Sequence, residues 1–289
     1  MSSVTDTDII PADWPQWSQS KPVLIRPLLG GLTNKSYLIS ANNNEMVLRR
    51  NSAISGALNL NRDTEAEALT LADSVGLCAP LIHYDSDLQY MICRYVHGQH
   101  WRADGAGIIA LAKLLRRIHQ LPAVSGKLDI ADKATSYWQA INTDAPFAND
   151  LRGLADTVGS HIASAKSFNT EPCLCHNDLL LENLIAADDG KLYAIDWEYA
   201  AMGDPFYDLA VIVEGHELGQ QQQQLLLAEY LARPGVKEDW QRLRHWRVIY
   251  GYLTVLWYAV QWSSGVMATA EASRNIEEQI QVLKLRLGE

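Results

Sequence analysis

The sequence predicts an α+β fold of two unequal lobes: a small antiparallel β lobe carrying one helix, then a larger, mainly helical lobe. Three observations predict it. Residues 23–50 alternate in strand fashion around turn signals. One helical stretch, 61–75, separates them from two further strand-like segments that end near 96. After His97-Gly98, apolar residues recur mostly at helical spacing. A chain of 289 residues can bury a substantial core and suits two modest units sharing a cleft. The expected division is 1–96, an N-terminal lobe, and 97–289, a C-terminal lobe.

In the small lobe, VLIRPLLGGL, KSYLIS and EMVLRR read as strands, with Gly30-Gly31 and ANNN (41–44) at the turns. NRDTEAEALTLADSV reads as a helix with Asn61 or Asp63 as N-cap and Gly76 as stop. LIHYDS and QYMICRYV follow as strands, and a connector lies near 94–99. In the large lobe, helices are expected at 104–121, 132–142, 147–166, 205–215, 219–232, 238–263 and 271–287, with strands at PCLCHND and KLYAIDW. The run QQQQQ (220–224), flanked by helix formers, reads as a solvated helix face.

Composition excludes several classes. Apolar residues are 48% and charged residues 20%, the balance of a soluble globular chain. A net charge of -10 disfavours nucleic acid and anionic membrane as partners, since both need a basic face. The N-terminus has no basic n-region or long apolar stretch, so no signal peptide is expected. The apolar stretch 248–262 is too short to span a bilayer and reads as a core helix. Four scattered cysteines suggest buried, reduced thiols and a cytoplasmic setting.

The chemistry concentrates in HNDLLLENLI (176–185). Asp178 and Asn183 lie five apart, and Asp196 ends the next strand, KLYAIDW. Phosphoryl transfer from a nucleotide needs metal ions on the phosphates, a carboxylate near the attacking hydroxyl and positive charge on the donor. Asp178 would accept the hydroxyl proton. Asn183 and Asp196 would offer oxygen ligands to Mg²⁺. A Leu-rich structural loop is the plainer reading of the stretch taken alone.

HxDxxxxN followed by IDW resembles the kinase-like small-molecule phosphotransferases: aminoglycoside phosphotransferases, choline and ethanolamine kinases, and thiamine kinase. GGLTNKSYLI (30–39) resembles the Gly-rich nucleotide loop of the choline-kinase branch. VLRR (47–50) resembles its next strand, which uses Arg for the usual Lys. NRDTEAEAL (61–69) resembles the helix with the partner Glu, and DWEYAAMGDPFYDLA (196–210) the metal-binding Asp and the structural helix after it. These motifs run in family order over roughly residues 25–215. The resemblance implies a protein-kinase-like fold, ATP and Mg²⁺ as cofactors, and an alcohol as acceptor.

Residue roles follow. Gly30 and Gly31 let backbone approach phosphate, and Thr33, Asn34 and Ser36 offer short donors. Arg49 would reach the α and β phosphates, held by Glu65, with Glu67 as the competing acid. Arg50 should point to the opposite face. Arg94, Tyr95 and Val96 would line the adenine cleft, although relatives often carry an acid where Arg94 stands. His176 is either a base or, as preferred here, a ring that fixes the loop backbone. His119 and Asp208 read as structural supports of that loop.

Acceptor choice is read from WRVIYGYLTVLWYAVQW. Tyr250, Trp257 and, less closely, Trp246 fall near one helix face, and aromatic faces attract cations. Most of these aromatics must simply pack a core. LWYAVQ, however, resembles the helix that gives choline kinases a cage Trp, which points to Trp257. Glu198, Tyr199 and Glu214 match family positions near that cage approximately. The expected acceptor is a small cationic alcohol, choline or ethanolamine first, thiamine second, an aminoglycoside third. A Ser/Thr/Tyr protein kinase is disfavoured, because DWE stands where DFG would and no APE-bounded segment follows. A nucleotide-binding pseudokinase is the non-enzyme alternative.

Overall fold

The computed structural model describes residues 9–29, 33–52, 55–267 and 269–287. Gly30 and Gly31, expected on the nucleotide loop, lie outside them. The small lobe is a five-stranded antiparallel sheet in the order β1-β2-β3-β5-β4. Its strands are β1 (Val23–Leu28), β2 (Lys35–Ala41), β3 (Asn44–Arg50), β4 (Leu81–Tyr84) and β5 (Tyr90–Arg94). Asn42 and Asn43 turn β2 into β3 with φ of 52° and 60°, left-handed values that Asn tolerates better than most side chains.

The period of two assigns the faces of β3. Met46 and Leu48 pack with Ile39, Ile92, Ile9 and Ile10 in an outer core, against which Trp14 and Trp17 also lie. The N-terminal segment thus covers one sheet face, and Arg50 points there, donating to the Ile9 carbonyl at 3.0 and 2.8 Å. Arg49 faces the other way, into the cleft. Leu48 is fully buried, so truncation to Ala would cost on the order of 2–5 kcal/mol. Between β3 and β4 runs helix α1 (Arg62–Ser74). Asn61 is its N-cap, accepting from the Thr64 amide at 3.1 Å.

The large lobe begins with strand β6 (Gly98–His100) and helices α2 (Gly105–Ile118), α3 (Ile130–Ala140), α4 (Ala148–Arg152) and α5 (Ala155–Lys166). Strands β7 (Cys173–Cys175), β8 (Leu184–Ala187), β9 (Leu192–Ala194) and β10 (Ala201–Gly203) follow. Helices α6 (Pro205–Gly215), α7 (Gln220–Leu231), α8 (Lys237–Ser263) and α9 (Ala270–Leu287) complete it. The 27-residue α8 is the central post, packed against α3, α5, α6 and α9. No described helix is long and apolar enough to cross a membrane.

Two expectations change. The single helix at 147–166 is two helices, α4 and α5, separated at Gly153 and Leu154. Strands β6 and β10 were not expected; each is three residues long and exists only through remote pairing, β6 with β8 and β10 with β7. Gly98 permits the first pairing, since a Cβ there would meet the Ala186 carbonyl at 2.4 Å. In the glutamine run, Gln222 and Gln223 donate to the Ala103 and Leu218 carbonyls at 2.7 and 2.6 Å, while Gln220, Gln221 and Gln224 are exposed.

Candidate active site

The loop from β7 to β8 carries Asp178 and Asn183, and β9 delivers Asp196. Asp208, fully buried on α6, fixes the loop: it accepts from the amides of His176 (2.9 Å) and Asn177 (2.6 Å) and from His119 Nε2 (3.0 Å). The His176 ring donates from Nε2 to the Ile195 carbonyl at 3.1 Å and packs on Trp197. His176, His119 and Asp208 thus brace backbone. Asn177 and Asp196 hold φ of 65° and 61°, left-handed backbone of the kind that clusters at functional sites.

Asn183 Nδ2 donates at 2.8 Å to both the carbonyl and the Oδ2 of Asp178. That commits the amide nitrogen and leaves Oδ1 as the atom suited to a hard cation. Burial, then the charges of Asp196 and Glu198, push the Asp178 carboxyl well above its ordinary range. A carboxylate so raised is a stronger proton acceptor.

Arg49 bridges the lobes. Its Nη2 lies 2.5 Å from Glu65 Oε1 and its Nη1 2.7 Å from Asp196 Oδ1. Glu65 has no exposed surface. Burial alone would raise its pKa, but Arg49 and Arg62 prevail and hold it below the ordinary value. Glu67, the competing acid, instead accepts from the Ser125 amide at 2.7 Å. Arg62 Nη1 reaches Glu65 (2.7 Å) and Glu198 (3.0 Å), and its Nη2 reaches Asn34 Oδ1 (3.1 Å).

A cavity of about 520 Å³ opens beside this network. Asp178, Asn183 and Asp196 line it, as do Tyr199, Tyr250 and Trp257. Trp257 Nε1 donates to the Tyr199 hydroxyl at 2.8 Å, which fixes two of these aromatics against each other. Six carboxylates line the cavity (Asp129, Asp132, Asp178, Glu182, Asp196 and Glu198) against two ammonium groups, Lys127 and Lys133.

A model of the phosphotransferase enzyme family matches residues 24–246. The chain belongs to that family. Protein LicA of Haemophilus influenzae is 27% identical over 252 residues, which cover 82% of this chain and 73% of its own. Thiamine kinase of Salmonella typhimurium is 26% identical over 154 residues, 53% of each chain. The crystal structure of choline kinase LicA from Streptococcus pneumoniae superposes with a TM-score of 0.78 at 23% identity, covering 91% of this chain and 94% of that one. The fold is protein-kinase-like, and this phosphotransferase is a small-molecule kinase.

Not every expected site residue of this phosphotransferase falls where the sequence placed it. Thr33 lines the cavity. Asn34, expected on phosphate, bonds to Glu198 at 2.7 Å in the buried network around Arg62; Glu198, expected on the acceptor, belongs to that network and also lines the cavity. Ser36 stands opposite Arg49 in the β2–β3 register. Arg94 is exposed at the end of β5, and the Tyr95 amide is taken by the Glu45 carbonyl at 3.1 Å. Val96 packs against the main core. Glu214 is turned away from the lining of the cavity and paired with Arg247 and Arg286. The reason is local charge: α8 and α9 bring two guanidinium groups to it.

Sequence reasoning missed Arg62, Lys133, Tyr137 and Tyr207. Lys133 and Tyr137 are an i,i+4 pair and so share a face of α3. That spacing was the available signal.

Proposed function

We propose that the protein transfers the γ-phosphoryl group of ATP to the hydroxyl of a small cationic alcohol of the choline or ethanolamine type. One observation carries the reading: a single cavity joins the Asp178–Asn183–Asp196 loop to the Tyr199–Tyr250–Trp257 wall, with carboxylates in excess. The negative lining draws a cation in, and aromatic faces hold it by about 0.5–2 kcal/mol each. The LicA relatives support the same acceptor class.

In the proposed mechanism Asp178 accepts the acceptor's hydroxyl proton. Asn183 anchors the Asp178 carboxylate through Nδ2. Arg49, held by Glu65, faces the donor phosphates. Asn183 Oδ1 and the Asp196 carboxylate form an oxygen donor set that fits Mg²⁺, which when bound neutralises phosphate charge. Thr33 borders the phosphates, and the connector at Arg94, Tyr95 and Val96 borders the base. No described hydrogen bond uses the Val96 amide, which suits it to a base edge. Four free thiols favour a reducing cytoplasm, where ATP is also supplied.

Thiamine is the second reading, favoured by the similarity to the Salmonella enzyme. An ATP-consumption screen over choline, ethanolamine, thiamine and an aminoglycoside panel tests both. Turnover of choline or ethanolamine is expected. ATP binding with no turnover of any acceptor would support the pseudokinase alternative.

A further inference from the structure

The acceptor cavity already contains a cation of the chain's own. Lys133, on α3, is 8% exposed and lines the cavity. Its Nζ stands 5.1 Å from the ring centroids of both Tyr137 and Tyr199. A cation within about 6 Å of a ring centroid is attracted by the ring quadrupole. Both of these rings are therefore engaged by a resident ammonium. The same Nζ donates to the carbonyls of Leu58 (2.7 Å) and Asn59 (3.0 Å), in the segment that leads into α1. Those bonds hold the ammonium in place, so it does not trail freely through the cavity.

No described ion pair involves Lys133, although the Glu198 charge favours its protonated form. Burial pulls its pKa down to about 8, which leaves it mainly charged at neutral pH. Its charge is thus only partly offset. A second cation entering the Tyr137–Tyr199 position would meet like charge at short range, in a setting of low dielectric where such repulsion is strong. Tyr199 is shared between two walls: its ring contacts Lys133, and its hydroxyl accepts from Trp257. The aromatic surface left for an acceptor's cation is that of Tyr207, Tyr250, Trp257 and Tyr258.

We propose that Lys133 is a specificity-determining residue of the acceptor site: its ammonium occupies the Tyr137–Tyr199 position and confines the acceptor's cationic group to the remaining aromatic wall of Tyr207, Tyr250, Trp257 and Tyr258. This rests on the cationic-alcohol reading above. The site then favours acceptors with one compact cation. It selects against polycations, whose second charge would have to enter the Tyr137–Tyr199 position.

Two variants test it in the full chain. Lys133→Met removes charge and hydrogen bonds; Lys133→Gln removes charge and keeps a donor for the Leu58 and Asn59 carbonyls. Tetramethylammonium and choline binding are measured by calorimetry, with KM for acceptor and for ATP alongside. Both variants should bind tetramethylammonium about tenfold more tightly, the gain that one or two added ring contacts supply, and lower the KM for choline with the KM for ATP unchanged. Unchanged or weaker tetramethylammonium binding in the folded Gln variant overturns the proposal, even if Met fails to fold. A change in Met alone also overturns it, since that outcome marks a tether. Turnover of choline by the wild type with no variant effect refutes the Lys133 role and leaves the acceptor reading standing. Tighter tetramethylammonium binding with no alcohol phosphorylated supports Lys133 and refutes that reading.

Discussion

Arg49 Nη1 and Asp196 Oδ1 lie 2.7 Å apart, joining strand β3 of the small lobe to the end of the β8–β9 hairpin across 147 positions of sequence. The other arm of the same guanidinium holds Glu65. This two-armed contact needs a planar fork, which a lysine ammonium does not offer. Arg49→Lys should therefore lower kcat/KM for ATP by about tenfold or more, the scale of one lost charge-assisted contact. Steady-state kinetics at varied ATP check this, and wild-type values would remove Arg49 from the nucleotide site.

Asp178→Ala should reduce turnover by about 10²–10⁴-fold, the range general-base removal typically gives. Nucleotide affinity should change little, because Arg49 and Asp196 remain. Single-turnover kinetics and calorimetry separate the two effects. Retained activity would remove Asp178 as the proton acceptor.

Trp257→Ala should raise the acceptor KM about threefold to thirtyfold, the span of one cation–π contact, with the KM for ATP unaltered. It also strips the Tyr199 hydroxyl of its donor. Trp257→Phe keeps a ring and loses that bond, so comparing the two separates ring face from hydrogen bond. An acceptor KM unmoved in both would mean that Trp257 only packs the helix.

Arg62→Ala should destabilise the fold by about 3–5 kcal/mol, the usual cost of stranding a buried charge. Arg62 is the donor shared by Glu65 and Glu198, whose side chains are 0% and 3% exposed. Chemical denaturation measures the loss. A change within about 0.5 kcal/mol, as at an ordinary surface site, would contradict the network as drawn.

His161 and His245 place their Nδ1 atoms 3.1 Å apart between α5 and α8. Burial, then the neighbouring positive charge, lowers both below the ordinary value of 6.5. The folded protein then binds fewer protons than the unfolded chain around that value, so stability should fall as pH drops through it. Thermal unfolding from pH 7.5 to 5.5 tests this: the decline in Tm should be shallower in His161→Gln, and equal slopes would exclude the pair as its source.

Residues that share one stretch of chain are legible in the sequence. Asp178, Asn183 and Asp196 belong to a loop and its hairpin, and spacing alone brings them together. Arg49 and Arg50 diverge because a strand alternates, and their partners confirm the alternation. Asn34 and Glu198 show where this stops: 164 positions separate them, and no local pattern reports that they meet. Glu214 fails for a related reason, since its two arginines arrive from α8 and α9. Strands β6 and β10 have too few residues to show a period. The aromatic helix is ambiguous by nature, because core packing and a ligand wall use the same residue types.

The charges that meet in the cleft alternate between the two lobes. Arg49, Arg62 and Glu65 come from one, and Asp196 and Glu198 from the other. Neither set is neutralised within its own lobe: the small one holds two guanidinium groups for one carboxylate, and the large one contributes two carboxylates. A chimera that grafted a relative's small lobe onto this large lobe would inherit half of a charge pattern, so these positions must be exchanged together. Lys133 extends the same constraint to the aromatic wall, since its ammonium on α3 is bonded to the Leu58 and Asn59 carbonyls ahead of α1.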